Sequence, residues 1–110
     1  MELPDRGDLV WMLFSPHAGS EQAGRRPGIV LSPRLFHEHS RLAMVCPITS
    51  RERGWRTEVK LPPGLPVSGV ILVDHLRSLD REARKLEIVG RAPEALLEAI
   101  KARLAPLLGF

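Results

Sequence analysis

The sequence predicts a small, strongly curved β-barrel of five to seven short strands with one C-terminal helix packed against it. Two observations carry this. Short runs rich in Val, Ile, Leu, Trp and Phe recur between clusters of Gly, Pro, Asp and Arg, the punctuation of an all-β chain. Helical spacing is clear only near the end, where Leu97, Ile100, Leu104 and Leu107 fall on one face. The 110 residues hold material for a single modest core, so strands and helix are expected to share it as one domain, residues 1–110.

Asp8 to Phe14 follows the turn-prone Asp5, Arg6, Gly7 and reads as the first strand. Ser15 to Arg25 is a loop of about a dozen residues, a length that favours function over mere connection. Arg26 to Leu31 returns as an antiparallel strand. Ser32 and Pro33 resemble a helix N-cap followed by proline at the first helical position, giving about one turn through Phe36. Leu42 to Ile48 is a third strand, and Arg51, Glu52, Arg53, Gly54 a charged loop after it. Thr57 to Leu61 alternates as a short strand until Pro62, Pro63, Gly64 and Pro66 stop it. Val67 to Val73 is strongly apolar with Gly69 inside, the mark of a bulge or a barrel corner. Asp74 to Asp80 continues it in mixed polarity, and Leu86 to Val89 is the last strand. Pro93 and Glu94 open the helix, with Glu94 early and Lys101 and Arg103 late to complement its dipole, and Pro106 is expected to distort its final turn.

Composition narrows the function class. Hydrophobic content of 44% with 26% charged residues argues against disorder. The formal charge is only +3, but thirteen of the sixteen basic residues are arginine, the side chain suited to bidentate phosphate contact, so the balance leans toward nucleic acid. Cys46 is alone, which excludes an intramolecular disulfide and a cysteine-based zinc site. Within an apolar strand it reads as a small buried hydrophobe rather than a nucleophile. The start of the chain has no apolar run, and the longest uninterrupted one is Leu9 to Phe14. No secretory signal or membrane span is therefore expected, and the protein is expected in the cytoplasm.

The most suggestive stretch is Gly19, Ser20, Glu21, Gln22, Ala23, Gly24, Arg25, Arg26, Pro27, which turns apolar at Gly28, Ile29, Val30. Two guanidinium groups stand at the mouth of a strand, and Pro27 restricts both itself and Arg26 to extended dihedrals. A held phosphate contact and a solvated hairpin loop both fit these residue types. His37 and His39 flank Glu38 without supporting metal ligands, and His17 reads as a solvated loop residue. Trp55 reads as a base-stacking residue or a plug for the barrel end, and Trp11 as core or dimer surface.

Four blocks in order resemble one family. They are Arg6, Gly7, Asp8; Gly19 to Gln22 with Gly24, Arg26, Pro27 and the strand to Ser32; Pro47, Ile48, Thr49, Ser50; and Asp74, His75, Leu76, Arg77, Ser78, Leu79, Asp80. The chain resembles the MazF/PemK/Kid-type toxins of bacterial type II toxin–antitoxin pairs over nearly its whole length. The resemblance implies an SH3-like barrel of the CcdB/MazF/Kid type, usually a homodimer, acting as a sequence-specific mRNA interferase on single-stranded RNA without metal or other cofactor. It implies arrest of translation, and silencing by an antitoxin whose acidic, extended tail lies across the RNA site.

Metal-free cleavage by the ribose 2′-hydroxyl needs a base, a proton donor and stabilisation of a more negative phosphorane. By the resemblance, Arg26 is the catalytic arginine. Its guanidinium suits charge stabilisation and is too basic to remove a proton. Thr49 aligns with the family threonine, whose hydroxyl donates to a phosphate oxygen, while a strand-end threonine bonded to nearby backbone is the plainer alternative. Glu21 is the base, or the ion-pair partner that orients Arg26. Ser20, Gln22 and His75 match positions for base reading, and Arg25, Ser50, Arg53 and Arg77 are further RNA contacts. Some relatives use a histidine at the position of Ser20 and an arginine at that of Leu72 together with the aspartate at Asp74. Both partners are absent here, which leaves the Arg26 and Thr49 version and makes Asp74 a structural acceptor. A silent CcdB-like module binding DNA gyrase and a simple nucleic-acid-binding domain are the competing readings.

Overall fold

The computed structural model describes residues 2–14 and 24–110. Ser20, Glu21, Gln22 and His17 lie outside the described residues. Seven strands form a mainly antiparallel sheet: β1 (Asp8–Leu13), β2 (Arg25–Val30), β3 (Leu42–Thr49), β4 (Glu58–Lys60), β5 (Val70–Leu72), β6 (Arg77–Asp80) and β7 (Glu87–Arg91). A short helix α1 (Arg34–His37) precedes β3, and α2 (Glu94–Leu108) follows β7. The hydrogen-bonded order is β4-β5-β3-β2-β1-β7, with β6 also pairing β3. The terminal strands β4 and β7 do not pair, so the expected barrel is a curved, open sheet.

Strand β3 organises the sheet because one of its edges serves two partners. Leu42 to Val45 pair with β6, and Ile48 and Thr49 pair with β5. For this reason the expected strand from Asp74 to Asp80 is not a continuation of β5. A 3-10 turn, Val73–His75, interrupts the chain and carries it from one half of β3 to the other. The expected strand Val67 to Val73 shrinks to Val70–Leu72, because Gly69 takes φ +121 just before it.

Alternation of side chains along each strand divides the core in two. One face carries Leu9, Ile29, Cys46, Ile48 and Ile71 against Leu96 and Ile100 of α2. The other gathers Val10, Met12, Phe14, Val30, Ala43, Val45 and Leu79. Leu96 and Ile100 are the buried residues of α2, whereas Leu107 is exposed, so the helix is rotated from the face read in the sequence. Trp11 packs partly buried against the first cluster. Pro106 lies inside the helix, which ends in a left-handed cap at Gly109, φ +85. Arg103 serves the loop before β4 rather than the helix end: its Nε donates to Arg56 O at 3.1 Å.

Two local expectations change for side-chain reasons. Pro33, extended at φ −80 and ψ 159, occupies the N-cap position of α1, and Arg34 is the first helical residue. The Ser32 hydroxyl is taken elsewhere: Oγ accepts from Met44 N–H at 2.9 Å and lies 2.7 Å from His37 Nε2. His37 Nδ1 sits 2.7 Å from Pro4 O, which can only accept, so Nδ1 carries the hydrogen and Nε2 accepts from Ser32. Both ring nitrogens of this buried histidine are thereby occupied in holding the N-terminal segment to α1 and β3. His39 is exposed. The first block of the family resemblance also has a structural task. Gly7, at φ +98, donates to Val30 O and accepts from Ala92 N–H, and Asp8 pairs with Arg91 at 3.1 Å.

Candidate active site on the β2–β3 face

Strands β2 and β3 pair through Val30 with Val45 and Gly28 with Pro47. Pairing ends there, and two residues further along each strand Arg26 and Thr49 fall, by side-chain alternation, on the face shared with Phe14 and Val45. Arg26 is exposed and stands opposite Met12 of β1. No described residue pairs with its guanidinium. Gly28 makes the floor close-packed: a Cβ there would meet Val45 Cγ1 at 2.7 Å and Phe14 Cζ at 3.1 Å. Any larger residue would have to displace Val45 or Phe14.

Thr49 is half-buried at the end of β3, and its Oγ1 accepts from Arg51 N–H at 3.2 Å. That local bond is the plainer threonine role, and it leaves the hydroxyl hydrogen free to donate outward. Gly69 fixes this strand end. A Cβ on it would lie 2.2 Å from Thr49 O and 2.9 Å from Thr49 C, so only glycine permits β5 to approach here.

The other expected site residues divide by geometry. Arg77 lies opposite Val45, on the same face as Arg26 and Thr49. Its NH1 donates to Phe14 O at 3.2 Å, and its Cζ is 6.0 Å from the Phe14 ring. His75 is exposed in the 3-10 turn beside β3, with Nε2 at 3.9 Å from Asp74. Asp74, expected as a structural acceptor, takes no hydrogen bond from any described residue. Ser50 and Arg53 are exposed in the loop that leaves Thr49. Arg25 is not brought to this group. It projects from the opposite face of β2 and is engaged by Glu87 of β7 and by Lys85 O.

The sequence reading missed Arg84. From the turn before β7 its NH1 donates to Phe14 O at 2.8 Å, the same carbonyl that Arg77 holds. Neither guanidinium has a carboxylate partner among the described residues. Arg77 and Arg84 therefore set positive charge beside Phe14, whose sheet face Arg26 shares, and an anionic ligand could neutralise it. An arginine in a polar turn carries no local signal of such a role.

Cys46 lies beneath this face. Burial first, and then the negative charge of Asp74, push its thiol up to about 12. It is a packed hydrophobe without thiolate character at neutral pH. Ellman's reagent at pH 8 is expected to leave the folded chain unlabelled and to titrate one thiol after denaturation. Rapid labelling of the folded chain would contradict this placement.

The fold and this face match a known group. The model of the PemK-like, MazF-like toxins of type II toxin–antitoxin systems matches residues 5–108. The chain belongs to that family. It is 38% identical over 107 residues to the endoribonuclease toxin MazF of Escherichia coli strain K12, covering 97% of this chain and 96% of that one. A crystal structure of MazF from Deinococcus radiodurans superimposes with a TM-score of 0.90 at 47% identity, over 100% of both chains. A MazE–MazF structure from the same organism gives a TM-score of 0.90 at 46% identity, over 99% of both. The fold that carries Arg26 and Thr49 is thus shared with these MazF structures.

Proposed function

We propose that this chain is a metal-independent, sequence-specific endoribonuclease toxin that cuts single-stranded mRNA by attack of the ribose 2′-oxygen on the adjacent phosphorus. The observation that supports the proposal is that Arg26, exposed and unpaired among the described residues, and Thr49 belong by strand alternation to one face of the adjacent strands β2 and β3. Family membership supplies the reaction class, since the MazF of Escherichia coli strain K12 and the PemK of Escherichia coli, 33% identical, are endoribonucleases.

In the reaction the 2′-oxygen to phosphorus bond forms and the bond from phosphorus to the 5′-oxygen breaks. Glu21 takes the proton from the 2′-hydroxyl. The Arg26 fork binds the two phosphorane oxygens that gain charge, and the Thr49 hydroxyl donates to one of them. Arg26 also protonates the departing 5′-oxygen. Arg77 adds positive charge, and His75, Ser20 and Gln22 read bases.

The activity is silenced by an antitoxin with an acidic, extended tail, for which the same arginine-lined face is complementary. Exposed Leu35, Phe36, Leu42 and Met44 on α1 and the first half of β3 support a homodimer. No helix among the described residues is long and apolar enough to cross a membrane, and we place the protein in the cytoplasm.

Purified protein incubated with a long RNA in EDTA tests the reaction. The expected products carry 2′,3′-cyclic phosphate and 5′-hydroxyl ends. Products with 5′-phosphate would contradict attack by the 2′-oxygen, and intact RNA would leave a binding module.

A further inference from the structure

The loop of residues 50–57 leaves β3 directly after Thr49 and is tied down from several sides. Glu58, only 8% exposed, accepts Arg53 N–H at 3.1 Å and Gly54 N–H at 2.9 Å through its carboxylate. Arg103 of α2 holds Arg56 O at 3.1 Å, Val73 N–H donates to Thr57 O at 3.0 Å, and Glu52 pairs with Lys60 at 3.6 Å. Out of this pinned loop Trp55 projects with 53% of its surface exposed. It plugs no barrel end, and as a large aromatic left in water it adds little to the core.

Its surroundings are cationic. The Arg53 guanidinium lies 5.0 Å from the indole centroid, and Arg51 and Arg56 flank it in sequence. Glu58 is spent on backbone amides and Glu52 on Lys60, so no carboxylate among the described residues pairs with Arg51, Arg53 or Arg56. A rigid aromatic face set among unneutralised guanidinium groups is the arrangement that stacks a base while its backbone phosphates are held. The geometry points to Trp55 as a nucleobase-stacking subsite, engaging the RNA strand where it runs past Thr49. This deepens the ribonuclease reading and rests on it. A purely apolar protein contact is disfavoured, because closing over Trp55 would desolvate three arginines without partners.

The test uses the full chain with Trp55→Ala and Trp55→Phe, both with melting curves as folding controls. Affinity is read by fluorescence anisotropy on labelled, mixed-sequence single-stranded DNA, which lacks the attacking hydroxyl, and kcat and KM are read on RNA. Trp55→Ala is expected to weaken DNA binding about tenfold and to raise KM by a similar factor, with kcat within about twofold. Trp55→Phe is expected to restore affinity to within about threefold, since a smaller ring still stacks. Unchanged DNA affinity in Trp55→Ala overturns the subsite whether or not the native chain cuts RNA. A change in solution mass with unchanged affinity assigns the indole to a protein contact and overturns it too. Binding that depends on Trp55 while RNA stays intact would uphold the subsite and overturn the nuclease reading alone.

Discussion

Arg26→Ala is expected to lower kcat/KM for RNA by roughly 10³-fold or more, while the melting temperature stays within a few degrees of native. The first half follows from the chemistry assigned to this side chain. A preorganised donor aimed at developing negative charge contributes about 10²- to 10³-fold, and an arginine on a transferring phosphoryl group about 10³- to 10⁵-fold. The second half follows from its surroundings. Arg26 is exposed and no described residue pairs with its guanidinium, so its removal empties no packing space and orphans no partner among the described residues. Substitutions at such positions change stability by about 0.5 kcal/mol or less. Arg26→Lys keeps the charge and loses the fork, and is expected to recover only a small part of the rate. Native rates in Arg26→Ala, measured on the RNA that the unaltered chain cuts, would remove this residue from the site.

Gly69→Ala is expected to damage stability and catalysis together. At φ +121 an alanine is strained, and its Cβ would overlap Thr49 O at 2.2 Å. The strain alone costs about 1 to 3 kcal/mol. In a domain of this size that is a fall in Tm of roughly 5 to 20 °C. The strand end must also shift, which moves the Thr49 hydroxyl away from the position set by pairing with Val70. Gly64→Ala separates the two effects, because Gly64 shares a positive φ, +92, but has nothing within 4 Å of its Cβ position. It is expected to lower Tm without lowering kcat at a temperature where both chains are folded. A Gly69→Ala variant that cleaves as fast as Gly64→Ala would show that the strand end does not position the hydroxyl.

The sequence announced the elements more clearly than their partners. β1, β2 and β3 are legible because apolar and β-branched residues fill them and Gly, Pro and charged residues bound them. The open edge and the switch of β3 from β6 to β5 are not, because they depend on which strands meet at long range. Burial of His37 is equally invisible locally, since its two partners come from Pro4 and Ser32. Among site residues, Arg26 is legible as a candidate phosphate contact from the Gly-bracketed stretch before Pro27, whereas Thr49 and the catalytic role of Arg26 are legible only through a family resemblance. That they share a face follows from the Gly28–Pro47 register, which no local pattern specifies. The same register separates neighbours that the sequence treated alike: Arg25 and Arg26 point to opposite faces, and Glu87 claims the first. Arg84 carries no local signal because its placement arises from two distant carbonyls, those of Leu13 and Phe14.

The central claim is that Arg26 and Thr49 act on the same phosphate, and a double-mutant cycle on kcat tests it most directly. Thr49→Val keeps the shape and removes the hydroxyl. Groups that stabilise one transition state as a unit lose far less together than the product of their separate losses. Arg26→Ala combined with Thr49→Val is therefore expected to fall only a few-fold below Arg26→Ala alone. A double variant whose loss equals the product of the two single losses would mean that the two side chains act independently, and would contradict the shared site.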